Sequence, residues 1–335
     1  MSHDHFELLS NQALAACAVT YFLALLAHLY QWAIARSLPI TASVPATATA
    51  TAGGTDTIVR TDQAPGEQLD EKSDRMAMFS RIGVTLTVLG ACFHFVAVVS
   101  RGLAADPVRV PWGNMYEFTM TGTLVVVVAY LALYRRYSLD WLSPVVTGFV
   151  IITLMVDVLF LYTPVVPLRD ALQSYWLIIH VVAAILATGM FTIGGMSSAL
   201  YLIKERWLAK GKTSTGYLAR LPDLAALDRM AYRTQAFAFP VWTFAALIAG
   251  PIWAQHAWGR YWGWDPKEIW AFITWVVYAA YLHSRATAGW KGRNAAVIAL
   301  IGLATLWFNF IGINFFFGSG SMHSYAAPVL TVLLH

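Results

Sequence analysis

Between Trp258 and Trp270 the chain reads WGRYWGWDPKEIW, with Trp258, Tyr261, Trp262, Trp264 and Trp270 crowded around Asp265, Lys267 and Glu268. Indole rings present large, flat apolar faces with one N–H donor each, and they favour the level where membrane meets water. A flat, amphipathic ligand suits such a surface, and a porphyrin has that shape. An aromatic belt that only anchors two helix ends would use the same residue type. The charged WDPKE core, costly to bury without purpose, favours a binding site.

The nine histidines sort by depth. His3, His5 and His335 lie at the chain ends, and His256 sits in the Trp-rich loop facing solvent. His28, His94, His180 and His283 fall inside apolar runs, where an ionisable side chain is expensive and marks function by default. His180, in SYWLIIHVV, lies near the outer end of the fifth run, and His323, in GSGSMHSYAAP, just beyond the outer end of the eighth. The Trp-rich loop joins the sixth and seventh runs at that same face. Two imidazoles and an aromatic platform, remote in sequence, are thus expected at one level. Opposed neutral imidazoles are a common way to hold an iron porphyrin. His283, in WVVYAAYLHSRA, lies near the inner end of the seventh run and would mark a second, deeper site. His28 and His94 read as hydrogen-bonded residues between helices. In the connection RGLAADPVRVPWGNMYEF, Asn114 is a candidate helix cap, and Glu117 is expected to pair with a basic group and brace the Trp-rich loop.

The elements that must position these groups are membrane helices. Of 335 residues, 58% are hydrophobic and only 12% charged, with a mean hydropathy of +0.58. Soluble domains carry about twice that share of charge. The apolar runs are long enough for helices and too long for barrel strands. The fold class expected is therefore an all-α integral membrane protein, a bundle of about eight transmembrane helices. The spans fall at about 11–35, 81–100, 117–134, 144–163, 175–203, 233–254, 269–284 and 295–317. The N-terminal region 1–36 reads as a retained first helix, because its start, MSHDHFELLS, lacks the basic residues of a signal peptide. Residues 37–80, rich in Ala, Thr, Pro and Gly, read as a disordered cytoplasmic linker ahead of the main transmembrane domain at 81–335.

Alternate connections differ sharply in basic charge: one set carries 17 of the 22 Lys and Arg residues, the other five. By the positive-inside rule this places both termini, the connections 101–116 and 164–174, and the loop 255–268 on the extracytoplasmic side. The basic segment 204–233 reads as a short amphipathic helix at the inner lipid surface. Cys17 and Cys92 form no C-x-x-C pair and read as buried structural thiols, so no thiol relay resides in this chain. The basic residues show no nucleic-acid-binding pattern.

WGRYWGWDPKEIW resembles the tryptophan-rich WWD signature of heme-handling membrane proteins. Together with the flanking histidines, the histidine in the next span and PWGNMYEF, it resembles the CcsA/ResC family, called CcsB in actinobacterial naming. The resemblance implies a System II cytochrome c biogenesis protein of the bacterial cytoplasmic membrane. Such a protein acts with a ResB-type partner as a cytochrome c synthase, or heme lyase, joining heme b to the CXXCH thiols of apocytochrome c. Thiol-reducing relay proteins would be indirect partners. It further implies that His180 and His323 are the outer axial ligands to heme iron. His283 would be the ligand of a deeper heme whose second ligand lies on the partner. Trp258, Trp262, Trp264 and Asp265 would form the platform, with Asn114, Glu117 and Glu268 in support. No residue of this chain need be a nucleophile, since the substrate brings the thiols. Two other classes fit parts of the pattern: a heme exporter or chaperone without ligation activity, and a quinone-linked cytochrome b with paired histidines deep in the spans.

Overall fold

A computed structural model describes residues 3–38, 65–165, 174–211, 216–287, 289–317 and 322. The described residues are helical and contain no strand. Helix α1 (His3–Ala35) packs along α2 (Pro65–Leu103). Helix α3 (Met115–Tyr137) is followed by a 3₁₀ turn (Leu139–Leu142) and by α4 (Ser143–Val156), which ends in a π-turn (Asp157–Leu161). Helix α5 (Tyr175–Ala209) runs for 35 residues, about 52 Å at 1.5 Å per residue, and so outreaches the ~30 Å hydrocarbon core. A single turn, α6 (Tyr217–Arg220), leads to α7 (Leu224–Phe244). A π-turn (Ala245–Ala249) joins α7 to α8 (Gly250–Trp258) without a break. After the Trp-rich loop come α9 (Pro266–Thr287), α10 (Arg293–Trp307), a π-turn (Phe308–Gly312) and α11 (Ile313–Phe316).

Seven of these helical runs are long and apolar enough to cross a membrane. The remaining expected span, 269–284, forms α9, which has 22 residues. Large apolar side chains point outward along the runs, including Val19, Phe95, Val128 and Ile152. Lipid tolerates such a surface, because each helix satisfies its own backbone polar groups. Inside, the packing relies on small residues. A Cβ placed on Gly194 of α5 would lie 2.6 Å from the Thr234 hydroxyl and 2.9 Å from Gln235 on α7, so glycine is what lets these two helices approach. Tyr116, Met120, Val127 and Tyr130 of α3 are buried against Leu142, Val146, Val150 and Leu154 of α4 and its preceding turn, and form the main core.

Three expectations change. Helix α2 begins at Pro65, so the last part of the expected linker, 65–80, is helical; residues 39–64 lie outside the described residues. Among the described residues of the basic segment 204–233, the only separate helix is the single turn α6. The two ends of the segment continue α5 and begin α7, because Leu227, Met230 and Ala231 find buried positions in the bundle. Cys17 is buried as expected, but Cys92 on α2 is exposed.

Candidate heme-handling site

His180 lies one and a half turns into α5, after Ser174 caps the helix by accepting from the Trp176 N–H at 3.2 Å. Its Nδ1 is 2.9 Å from the carbonyl oxygen of Ala245. A carbonyl only accepts, so Nδ1 must carry the proton, which leaves the lone pair on Nε2. Ala245 opens the π-turn between α7 and α8, where the ladder shifts to i→i+5 and Gly250 N–H returns to the same carbonyl. Insertions of this kind concentrate at functional sites. The ring is held on two further sides: it stacks on Trp253 at 5.9 Å and 14°, and a Cβ on Gly250 would come within 3.1 Å of Nδ1. An imidazole with one nitrogen hydrogen-bonded to backbone is oriented as metal-bound histidines are.

His180 borders a cavity of about 170 Å³, walled by Trp112, Phe118, Trp242, Trp253, Trp262 and Phe310. Closed small-molecule sites usually hold 300–1,000 Å³. A ring as large as a porphyrin would therefore enter this cavity edge-first and extend beyond it. The residues present fit such a ligand. The wall is aromatic, one imidazole has a fixed tautomer, and two buried amides facing the cavity each keep one atom without a partner among the described residues: Asn114 Nδ2 and Asn309 Oδ1.

The Trp-rich loop is shaped by its acids. Asp265 Oδ1 accepts from the Lys267 N–H at 2.9 Å, capping α9. Glu268 Oε2 accepts from the backbone N–H of Gly263 at 2.8 Å and of Asp265 at 3.1 Å, closing a reciprocal capping arrangement. The other Asp265 oxygen accepts from the Met322 N–H at 2.7 Å, and Arg260 reaches the Met322 sulfur at 3.0 Å. Trp258 packs on Trp253 at 4.8 Å, and Trp262 lines the cavity. Trp264 turns away from the cavity: its φ is +56° and the residue is 66% exposed. Lys267, ahead of the apolar part of α9, donates to Asn314 Oδ1 at 3.2 Å. Desolvation pulls its ammonium down to about 8, against the opposing pull of Asp265.

Of the other expected residues, Asn114 caps α3, its Oδ1 accepting from the Glu117 N–H at 2.8 Å. Glu117 is fully buried and meets Arg109 at 2.6 and 3.2 Å, Arg101 at 3.4 Å and the Gly113 N–H at 2.8 Å. It pairs with basic groups as expected, but what it braces is the connection before α3. Its partners come from α2 and that connection, and none from 255–268. His283 is exposed near the far end of α9, well away from the cavity wall. His28 and His94 are fully buried; His94 Nε2 meets the Met120 carbonyl at 2.9 Å and His28 Nδ1 meets Gln31 at 3.4 Å. His256 is exposed, as expected. His323 lies outside the described residues. Asn309 and the π-turn at 245–249 have no signal in the sequence reading, which names Lys267 only as part of the charged WDPKE core.

Comparison with known proteins decides the family. The profile described as "Cytochrome C assembly protein" matches residues 112–319, a range that includes the cavity, His180, the Trp-rich loop and His283. This chain belongs to the cytochrome c assembly protein family. It is similar to the cytochrome c biogenesis protein CcsA of Trieres chinensis, 33% identical over 279 residues that cover 73% of this chain and 86% of that protein. CcsA of Cyanophora paradoxa is 31% identical over 277 residues, 69% and 83% of the two chains. CcsA of Guillardia theta is 35% identical over 236 residues, 64% and 76%. The chain is thus a multi-pass membrane protein of the CcsA/ResC family with a role in cytochrome c maturation.

Proposed function

We propose that this chain is the heme-binding and heme-delivering subunit of a cytochrome c synthase, acting with a ResB-type partner at the outer face of the bacterial cytoplasmic membrane. The observation that carries the reading is His180: a histidine whose tautomer is set by a backbone carbonyl, stacked on Trp253, on the wall of an aromatic cavity beside the Trp-rich loop. His323 is the second outer ligand. Its chain neighbour Met322 is tied to Asp265 and Arg260 of the Trp-rich loop, which supports this assignment. His283, exposed on the bundle surface, serves a deeper heme completed by the partner. Both termini and the loop 255–268 lie outside, and 81–335 is the heme-handling domain.

Heme b is the cargo here, and its vinyl groups supply the reactive double bonds. Each CXXCH thiol adds its S–H across one vinyl: a C–S bond forms, hydrogen goes to the adjacent carbon, and no electrons are lost or gained overall. The chain's own residues supply orientation. Two imidazoles fix the plane of the ring, and Trp262 and Trp258 limit its position along that plane. Exposed Trp264 gives the arriving apoprotein a surface beside it. Holding thiol and vinyl in place substitutes for a slow encounter, and effective molarity carries much of the rate.

Purified chain and partner, supplied with heme and a CXXCH apoprotein, should yield a cytochrome whose heme stays attached through denaturation. Heme lost on denaturation would indicate delivery without ligation, the reading of an exporter or chaperone.

A further inference from the structure

The heme-binding cavity also carries polar groups that neither iron ligation nor aromatic stacking employs. On the α3 side stands Asn114, 6% exposed, whose Oδ1 is committed to the Glu117 N–H. That commitment fixes the amide: an oxygen must face the N–H, so the other atom is the donor Nδ2, and it has no partner among the described residues. Across the Trp-rich loop, Lys267 lines the same cavity. Its ammonium is steadied by Asn314 Oδ1, and the Asn314 amide is oriented in turn, its Nδ2 donating to the Phe310 carbonyl at 2.6 Å and the Met115 sulfur at 2.9 Å. The neighbouring anion on the wall, Glu268, directs Oε2 at the backbone N–H groups of Gly263 and Asp265. A buried N–H without a partner carries a desolvation cost that a ligand atom can remove. A fixed cation and a fixed amide donor in one apolar cavity match an anion that accepts at two oxygens.

We infer that Asn114 and Lys267 form a carboxylate-binding subsite, which takes a propionate of the heme and so sets which edge of the ring enters the cavity and which edge, with its vinyl groups, is presented. This rests on the heme-binding reading above and adds the direction of the ligand to it. Asn309, whose unpartnered Oδ1 is an acceptor on the same wall, does not serve the carboxylate itself; it suits a water or hydroxyl at its margin.

The test titrates ferric protoporphyrin IX and its dimethyl ester into the detergent-solubilised full chain, followed by the Soret band. The ester keeps the iron, ring and vinyl groups and removes only the two negative charges. Wild type should bind the acid about tenfold or more tighter than the ester, the range of a charge-assisted hydrogen bond. Asn114→Asp keeps the oxygen that caps α3 and replaces the donor by an anion; Lys267→Gln removes the cation. Each should abolish the preference by weakening the acid far more than the ester, and Lys267→Arg, which keeps the cation, should retain a preference for the acid. Equal binding of acid and ester by wild type, or an intact preference in both variants, overturns the subsite and leaves the heme reading standing. A wild-type chain that binds neither porphyrin overturns both.

Discussion

Two polar clusters lie back to back at the start of α3, and they differ in how completely they are satisfied. Glu117 receives four donors, from Arg101, Arg109 twice and Gly113, and Arg101 itself also meets Glu7 at 3.1 Å and the Thr163 carbonyl. Three residues away, Asn114 keeps a donor without a partner among the described residues, and it lines a cavity that also holds an oriented imidazole and a lysine. The network around Glu117 fixes structure, because both oxygens of its buried carboxylate already have donors. An open one is held ready for something else, and the closed cluster supplies the rigidity that keeps it open.

Breaking the closed side should have the largest effect. Glu117→Ala leaves a fully buried Arg101 and a nearly buried Arg109 short of an anion, a loss of about 3–5 kcal/mol. Thermal melting in detergent should show a marked drop, with or without heme. Weakening the open side should spare the fold. Gly250→Ala puts a Cβ 3.1 Å from His180 Nδ1, and forcing the ring aside costs about 0.5–1.5 kcal/mol, a severalfold loss of heme affinity at nearly unchanged melting temperature. A Gly250→Ala chain that melts early but binds heme normally would reverse the contrast.

A smaller effect is expected where the Trp-rich loop holds the segment after α11. Asp265→Asn keeps a good cap for α9 but turns one oxygen into an amide that cannot accept from the Met322 N–H. Hydrogen exchange at the Met322 amide should rise about tenfold. Smallest of all, Cys92→Ala on the exposed face of α2 should change stability by less than ~0.5 kcal/mol and leave cytochrome c maturation intact. Loss of maturation there would point to a thiol role that neither cluster explains.

Much of this organisation is legible in the residues. Long apolar runs and scarce charge dictate membrane helices, and helices α3, α5 and α9 begin within a few residues of the expected spans. The crowding of Trp around WDPKE leads to part of the cavity wall, Trp262, Lys267 and Glu268, and Asn114 before an apolar run announces its own cap. What escapes sequence reading depends on winding and on facing. A π-turn at 245–249 changes the register of one continuous helix without any Pro or Gly inside the turn, although it is what brings the Ala245 carbonyl to His180. In a membrane helix the apolar period is weak, since lipid and core accept the same side chains, so the exposure of Cys92 is not legible in its neighbours; the charged residues at the start of α2 carry no apolar period either, and the helical start at Pro65 escapes for that reason. Glu117 was recognised as one half of an ion pair, but its partners, Arg101 and Arg109, lie on α2 and the connection that it braces.

The account turns on two imidazoles of this chain meeting one heme iron at the outer face, and spectroscopy of the heme that co-purifies with the chain tests it most directly. Wild type should give a six-coordinate, low-spin spectrum of two histidine ligands. His180→Gly and His323→Gly should each lose it, and added imidazole should restore it. An unchanged low-spin spectrum in both variants would contradict the outer site.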